Sequence, residues 1–304
     1  MELNEIVRLA ENNGWDAQPN ARLSAYTTFK VGGPADLLVT LPDGKAAATL
    51  LAACREKGIP TLLLGNGSNL LVGDRGVRGV VWRLDPKTAA CTLHSDGVTV
   101  FCDAGLPLIR LCRFAEEKVL SGMEFAFGIP GTVGGAVFMN AGAYDGQMSD
   151  VLVSAEILEK TGEVHTVTAE QLQLGYRHSV CMDTGAIVLG ATLKLTPGNR
   201  EEISAKMREL LSRRRDKQPL EFPSAGSFFK RPTGHFAGAL IENGGLKGFS
   251  VGGAKVSEKH AGFVINTGDA TAKDICTLAE EVTRRVKEQF GVTLEPEVRF
   301  VGEF

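Results

Sequence analysis

Three glycine-rich turns constrain this chain more than any other feature: GNGSN at 65–69, GIPGTVGGA at 128–136 and NAGAYDG at 140–146. Glycine has no side chain and tolerates positive φ, so the backbone amides of such turns can close on an anion. Taken singly, each is as well explained as an ordinary tight turn. Two of them within one β-rich stretch suggest a pyrophosphate cradle. The common nucleotide loops are not met: Leu70 stands where the third glycine of G-x-G-x-x-G would follow Gly65 and Gly67, and no G-K-[ST] occurs. A cofactor would therefore be held by a fold other than a Rossmann or P-loop domain.

The rest of the chain sets that cradle in an α+β frame. Its 304 residues are enough for two or three modules. A hydrophobic fraction of 43% and a charged fraction of 23% exclude disorder, collagen and coiled coil. A net charge of -3 with no basic stripe argues against nucleic acid as a partner. The six cysteines (Cys54, Cys91, Cys102, Cys112, Cys181, Cys276) contain no Cys-x-x-Cys pair and read as reduced core thiols of a cytosolic enzyme. The first helix, with apolar Leu3, Ile6, Val7 and Ala10, lacks the apolar run of a signal peptide, and no later stretch reaches the length of a membrane span. The five histidines show no metal-ligand spacing, so no metal is expected.

Asp36–Leu41, the Asp43-capped segment AAATLLAACREK ended by Gly58, and Ile59–Leu64 suggest a strand–helix–strand unit. From 79 to 197 the pattern changes to antiparallel strands at 80–84, 98–103, 151–158, 164–167 and 186–195, interrupted by one helix near 107–118. Residues 199–217 read as a charged amphipathic helix, and a short helical stretch lies near 236–242. A last helix opens at Thr271, with Asp274 completing a capping box and Ile275, Leu278, Ala279, Val282 and Val286 on its apolar face.

Several segments could carry chemistry. Arg177, in GYRHS, could be a surface residue, half of an ion pair, or catalytic. Ser227 follows a glycine turn, where a hydroxyl caps a helix, closes a turn or projects into a pocket. Arg213, Arg214, Arg215 and Lys217 fit a solvated helix end, or a phosphate clamp for which the planar guanidinium is suited. Glu297 and Arg299 lie two apart in EPEVRF, on one face of an expected strand, as a structural pair or a site.

Together, TTFKVGGPADLL (27–38), LLGNGSNLLV (63–72), GIPGTVGGAVFMNAGAY (128–144), GYRHS (175–179), KQPLEFPSAGSFFKRP (217–232), GGAKVSEKHAGFVIN (252–266) and EPEVRFVG (295–302) resemble the UDP-N-acetylenolpyruvoylglucosamine reductase family of bacterial peptidoglycan precursor synthesis. Seven segments match in order over nearly the whole chain. The resemblance implies an α+β, vanillyl-alcohol-oxidase-type FAD-binding fold of two α+β subdomains, 1–84 (with a C-terminal strand 296–304) and 85–198. A separate α+β substrate-binding domain would span 199–295. It further implies that Gly65, Asn66, Gly67, Ser68, Asn69, Leu70, Ile129, Pro130, Gly131, Thr132, Gly135 and Ala141 hold FAD. Neither turn contains a histidine or cysteine for covalent attachment, so FAD is expected to be non-covalent.

By the same resemblance Arg177, Ser227 and Glu297 are catalytic, and Tyr176, Arg214, Lys217, Lys230 and Arg299 contact substrate. The implied reaction carries a hydride from NADPH by way of FAD to the enolpyruvyl group of UDP-N-acetylglucosamine enolpyruvate, Ser227 protonating the enolate. No nucleic acid, membrane or metal enters this reading, and the expected location is the cytoplasm. Only 50 residues separate Arg177 from Ser227 (227 − 177), which resembles the shorter subclass lacking an extra loop over the substrate. Arg231 and Asp145 depart from the family pattern. Two other readings remain: a flavin oxidase of the same fold, which would release peroxide, and a non-catalytic nucleotide-binding module, which would carry no flavin absorbance.

Overall fold

A computed structural model of the chain describes residues 2–304. It divides into two compact units. The first comprises the N-terminal stretch to Gln18, Leu38–Asn66 and Val80–Arg214; the second comprises Pro19–Leu37, Gly67–Gly79 and Arg215–Phe304. A four-stranded sheet takes the strands in the order Asp16–Arg22, Pro34–Leu41, Val77–Leu84, Thr61–Leu63.

Within the first unit, the helix Gly44–Glu56 starts where Asp43 Oδ1 accepts the amide of Ala46 at 2.9 Å. Its Ala46, Ala47, Leu50 and Cys54 are buried, and Gly58 at φ +64 turns the chain out of it. The strand that follows, Thr61–Leu63, pairs in parallel with Val80–Trp82, so the expected strand–helix–strand order is present. The strand Val77–Leu84 lies between its two strands in the sheet. The expected antiparallel region is a five-stranded sheet in the order Val164–Thr168, Leu152–Leu158, Ile187–Lys194, Thr99–Asp103, Cys91–Leu93. Its core gathers Val100, Ala155, Ile157, Ala191 and Leu193 with Leu111 and Ala115 of the helix Leu108–Glu117.

The helix Arg200–Lys217 buries Ile203, Met207, Leu210 and Arg214, a stripe at spacings of four, three and four. This corrects the reading of the basic run as a wholly solvated helix end. Arg213, Arg215 and Lys217 are exposed, whereas Arg214 occupies the next position of the apolar stripe.

In the second unit, the strands Ser224–Ser227, Phe263–Asn266, Ala254–Val256 and Ser250–Val251 form an antiparallel sheet. The helix Ala272–Phe290 opens on the expected capping box of Thr271 and Asp274, and Asp74 receives the amides of Ala272 and Lys273 at 2.7 and 3.0 Å. Ile275, Leu278, Ala279, Val282 and Val286 are all buried, each larger side chain contributing about 1.5–3 kcal/mol. The strand Leu70–Val72 runs parallel to Arg299–Val301. Here the sequence expectation for EPEVRF fails. Pro296 makes an isolated bridge to Phe229, Glu297 lies outside any strand, and the strand begins only at Arg299. Proline has no amide to continue a ladder, which keeps the strand from extending through 296.

All six cysteines are free, but Cys91 and Cys276 are only partly buried. Cys91 stands directly opposite Cys102 across two antiparallel strands. The hydrogen bond from the Cys102 thiol lowers the pKa of Cys91, and the same pairing with burial raises that of Cys102. Burial pushes Cys54 to about 11 and Cys112 to about 12. At a given pH a lower pKa means more thiolate, the reactive form. Iodoacetamide applied to the folded protein at pH 8 is expected to label Cys91 first, with Cys54 and Cys112 protected until unfolding. Peptide mass spectrometry showing equal labelling of all six would contradict this.

Candidate active site

Gly65 and Asn66, the start of one glycine turn, meet the 128–136 turn within the first unit. Asn66 Nδ2 donates to the Pro130 carbonyl at 2.7 Å. A Cβ on Gly65 would stand 3.2 Å from Thr132 Oγ1. Thr132 in turn caps the helix Val133–Phe138 by accepting the Gly135 amide at 3.3 Å. Ile129 donates to Ala126, and Ala141 donates to Ala136 beneath the same short helix, so both positions are fixed by local backbone bonds.

Gly67 closes the first turn at φ +59, and a Cβ there would lie 2.2 Å from the Tyr26 carbonyl oxygen. Only glycine fits. Among the described residues, the amides of Asn66, Gly67 and Ser68 donate to no protein acceptor. Successive outward amides of this kind suit a pyrophosphate. The residues thus fit FAD, and the turns offer no side chain able to attach it covalently. No group of three or more metal-ligating side chains exists among the described residues.

Arg177 is not a loose surface residue in the geometry observed. Gly175 and His178 exchange backbone bonds of 3.1 and 3.3 Å, which puts Tyr176 and Arg177 at the tip of a tight turn. Arg177 has φ +54, a sparsely occupied region for a residue with a side chain. Its guanidinium donates to the Gly142 carbonyl at 3.1 Å and lies 5.1 Å from the centre of the Tyr176 ring. Tyr176 is 55% exposed.

Ser227, Glu297, Lys230 and Arg299 fall together in the second unit. Ser227 ends a strand whose pairing with Phe263–Asn266 shifts by one residue between Ser224 and Ser227, with Gly226 at φ +77. Such a bulge re-aims the side chain beyond it. Ser227 is exposed, and its hydroxyl caps no helix among the described residues. The Glu297 amide donates to Phe228 O at 2.8 Å, while the Lys230 amide donates to Glu295 O at 2.8 Å. The Glu297 carbonyl accepts from Asn69 Nδ2 at 3.1 Å, and the Arg299 amide donates to Asn69 O at 3.0 Å. Lys230 Nζ is 3.6 Å from a Glu295 carboxylate oxygen. Edge contacts of Phe228 with Phe29, Phe229 and Phe300, at 6.4, 5.0 and 6.2 Å between ring centres, anchor the segment next to Ser227.

Lys217 is exposed at the end of its helix. Arg214 turns inward. Its guanidinium lies 6.0 Å from the centre of the Tyr144 ring, Arg213 lies 4.8 Å from the same ring, and Arg214 Nε is buried without a partner. Burial lowers its pKa, countered by the Tyr144 hydroxyl. The spacing from Ile203 through Met207 and Leu210 is the signal that marks Arg214 as inward-facing.

A family model described as FAD binding domain matches residues 35–168, and one described as UDP-N-acetylenolpyruvoylglucosamine reductase, C-terminal domain, matches residues 218–301. A UDP-N-acetylenolpyruvoylglucosamine reductase of Lachnoclostridium phytofermentans is 50% identical over 93% of this chain and 92% of its own. One of Streptococcus pyogenes is 48% identical over 97% and 99%. The crystal structure of the Thermus caldophilus UDP-N-acetylenolpyruvylglucosamine reductase superposes with a TM-score of 0.79 at 39% identity, covering 94% of this chain and 98% of that one. A berberine bridge enzyme variant, at 14% identity, shares the fold alone, with a TM-score of 0.50 over 64% of this chain and 44% of its own. The α+β, vanillyl-alcohol-oxidase-type FAD-binding fold expected from the sequence is therefore present. The chain belongs to the UDP-N-acetylenolpyruvoylglucosamine reductase family.

Proposed function

We propose that this chain is a flavin-dependent reductase that converts UDP-N-acetylglucosamine enolpyruvate to UDP-N-acetylmuramate in peptidoglycan precursor synthesis, with FAD as cofactor and NADPH as reductant. The observation that carries this reading is the likeness to reductases of that name, 48–50% identical along more than nine-tenths of the chain. In functional terms we divide the chain into FAD-binding subdomains 1–84 and 85–198 and a substrate-binding domain 199–295. A cytoplasmic location is supported by six free thiols and by the nucleotide-linked substrate. No described helix is long and apolar enough to cross a membrane.

When bound, FAD supplies the hydride carrier between the nicotinamide and the substrate double bond. Residues of the 65–69 turn and of the 128–136 turn would hold FAD, with Leu70, Gly135 and Ala141 among its contacts. An enol ether accepts hydride poorly unless the charge that develops next to its carboxylate is stabilised. Arg177 supplies a fixed cation for that purpose, and its turn geometry spares reorganisation during the reaction. Ser227 Oγ then delivers a proton to the α-carbon of the enolate. A hydroxyl is a weak acid, but the strongly basic enolate needs only one well-placed donor. Glu297, held through its own amide and carbonyl, orients the enolate opposite Ser227. Tyr176, Arg214, Lys217, Lys230 and Arg299 contact the nucleotide sugar, Arg214 from its place beside Tyr144.

Two outcomes follow for the cofactor and the acid. Gly67→Ala forces a side chain into the Tyr26 carbonyl at positive φ, so it should cost at least about 1–3 kcal/mol and reduce flavin content after purification. Acid precipitation of the unaltered protein should leave FAD in the supernatant; flavin retained by the pellet would contradict reversible binding. In Ser227→Ala, stopped-flow flavin reduction by NADPH should be nearly unchanged, while reoxidation by the enolpyruvyl substrate slows by about 10²–10⁴-fold or more. Ser227→Cys should recover part of that rate. Unimpaired reoxidation of the alanine variant would remove Ser227 from the chemistry.

A further inference from the structure

The turn that carries Arg177 is laced to the segment 138–142 by three bonds within the first unit. Ser179 Oγ donates to the Phe138 carbonyl at 2.7 Å, Asn140 Nδ2 donates to the Gly175 carbonyl at 3.0 Å, and Arg177 donates to the Gly142 carbonyl at 3.1 Å. The middle bond falls on the carbonyl that also accepts the His178 amide and so closes the turn. Asn140 is 2% exposed, at φ +41. Its Oδ1 accepts the Ser149 amide at 2.9 Å, with longer contacts from Nδ2 to Gln147 Oε1 at 3.4 Å and Ser149 Oγ at 3.5 Å.

Only a carboxamide meets these demands together. It presents a donor and an acceptor on one planar group, and asparagine tolerates the left-handed backbone better than other residues with side chains. A carboxylate here would set two acceptors against the Gly175 carbonyl. Asn140 also follows the short helix Val133–Phe138, whose capping residue Thr132 belongs to the second glycine turn. One continuous stretch of chain therefore joins the second glycine turn to the segment hydrogen-bonded to the arginine turn.

We propose that Asn140 is a positioning residue for the reduction, holding the strained Arg177 turn so that the guanidinium meets the substrate carboxylate. The proposal rests on the reading of Arg177 given above. It separates Asn140 from the flavin steps: loss of its carboxamide leaves the turns 65–69 and 128–136 in place but loosens the turn that carries Arg177, and small displacements of a charged partner weaken catalysis steeply. Glycine accepts φ +41 without strain, so Asn140→Gly removes the side chain alone.

The test uses the FAD-loaded protein in anaerobic stopped flow, with NADPH and then UDP-N-acetylglucosamine enolpyruvate. In Asn140→Gly, flavin content and its reduction by NADPH should stay within about two-fold of the parent, while reoxidation slows by roughly 10–100-fold. Asn140→Asp, which keeps the shape and the Ser149 bond, should show the same split. If Asn140 acts through Arg177, adding Asn140→Gly to Arg177→Lys should slow reoxidation by less than about three-fold further, because residues acting as a unit are not additive. Normal reoxidation in Asn140→Gly beside a slow Arg177→Lys would overturn the brace and leave the arginine reading intact. Equal loss in both half-reactions, multiplying in the double variant, would mark Asn140 as a general structural residue. A parent-like rate in Arg177→Lys would sink the arginine reading and the brace with it.

Discussion

Asn69 clasps the end of the chain from two sides, its side chain donating to Glu297 O and its own carbonyl receiving the Arg299 amide. The parallel pairing of Leu70–Val72 with Arg299–Val301 continues directly from that clasp. The contact joins residues 228 positions apart, so its closure entropy is met only because the aromatic cluster around Phe228 packs behind it. Glu297 and Ser227 owe their relative placement to this knot: the Glu297 amide reaches Phe228 O, one residue past Ser227. The last residue of the GNGSN turn is thus also the fastener of the segment that carries Glu297.

What was legible in the sequence was local. Asp43, Thr271 and Asp274 cap the helices their positions imply, because a short polar side chain reaching a free amide needs no tertiary partner. The apolar face of Ala272–Phe290 was readable from its spacing for the same reason. The family and the FAD-binding fold were legible through ordered motifs rather than through any one turn. Where the reading failed, distant residues decided the outcome. Glu297 sits off the strand because Pro296 meets Phe229, and Arg214 turns inward because the stripe begun by Ile203 continues under Tyr144. The bulge at Gly226 depends on the partner strand Phe263–Asn266, which no spacing within PSAGSFF discloses.

Backbone strain marks the stretch of the first unit that carries Arg177. Of the eight described residues other than glycine at positive φ, five (Asn140, Tyr144, Asp145, Gln173 and Arg177) fall between 140 and 177. Tyr144 and Asp145 form the two-residue tip of a hairpin whose strands pair Ala143 with Gly146, a turn that usually selects asparagine and glycine. Arginine side chains over Tyr144 and the three bonds to the Arg177 turn surround these positions. Such conformations persist only where neighbours over-determine them, and here the neighbours include a residue assigned to chemistry. The strand that ends at Ser227 in the second unit carries its irregularity differently, in one bulge and one glycine.

The central claim is that this chain moves reducing equivalents from a nicotinamide to an enolpyruvyl nucleotide sugar through a bound flavin. The most direct measurement is the visible absorbance of the purified protein under anaerobic conditions. Addition of NADPH should bleach the flavin band, and UDP-N-acetylglucosamine enolpyruvate should restore it in the absence of oxygen, with UDP-N-acetylmuramate formed in equal amount. A protein without flavin absorbance, or one whose band returns only with oxygen and the release of peroxide, would contradict the account.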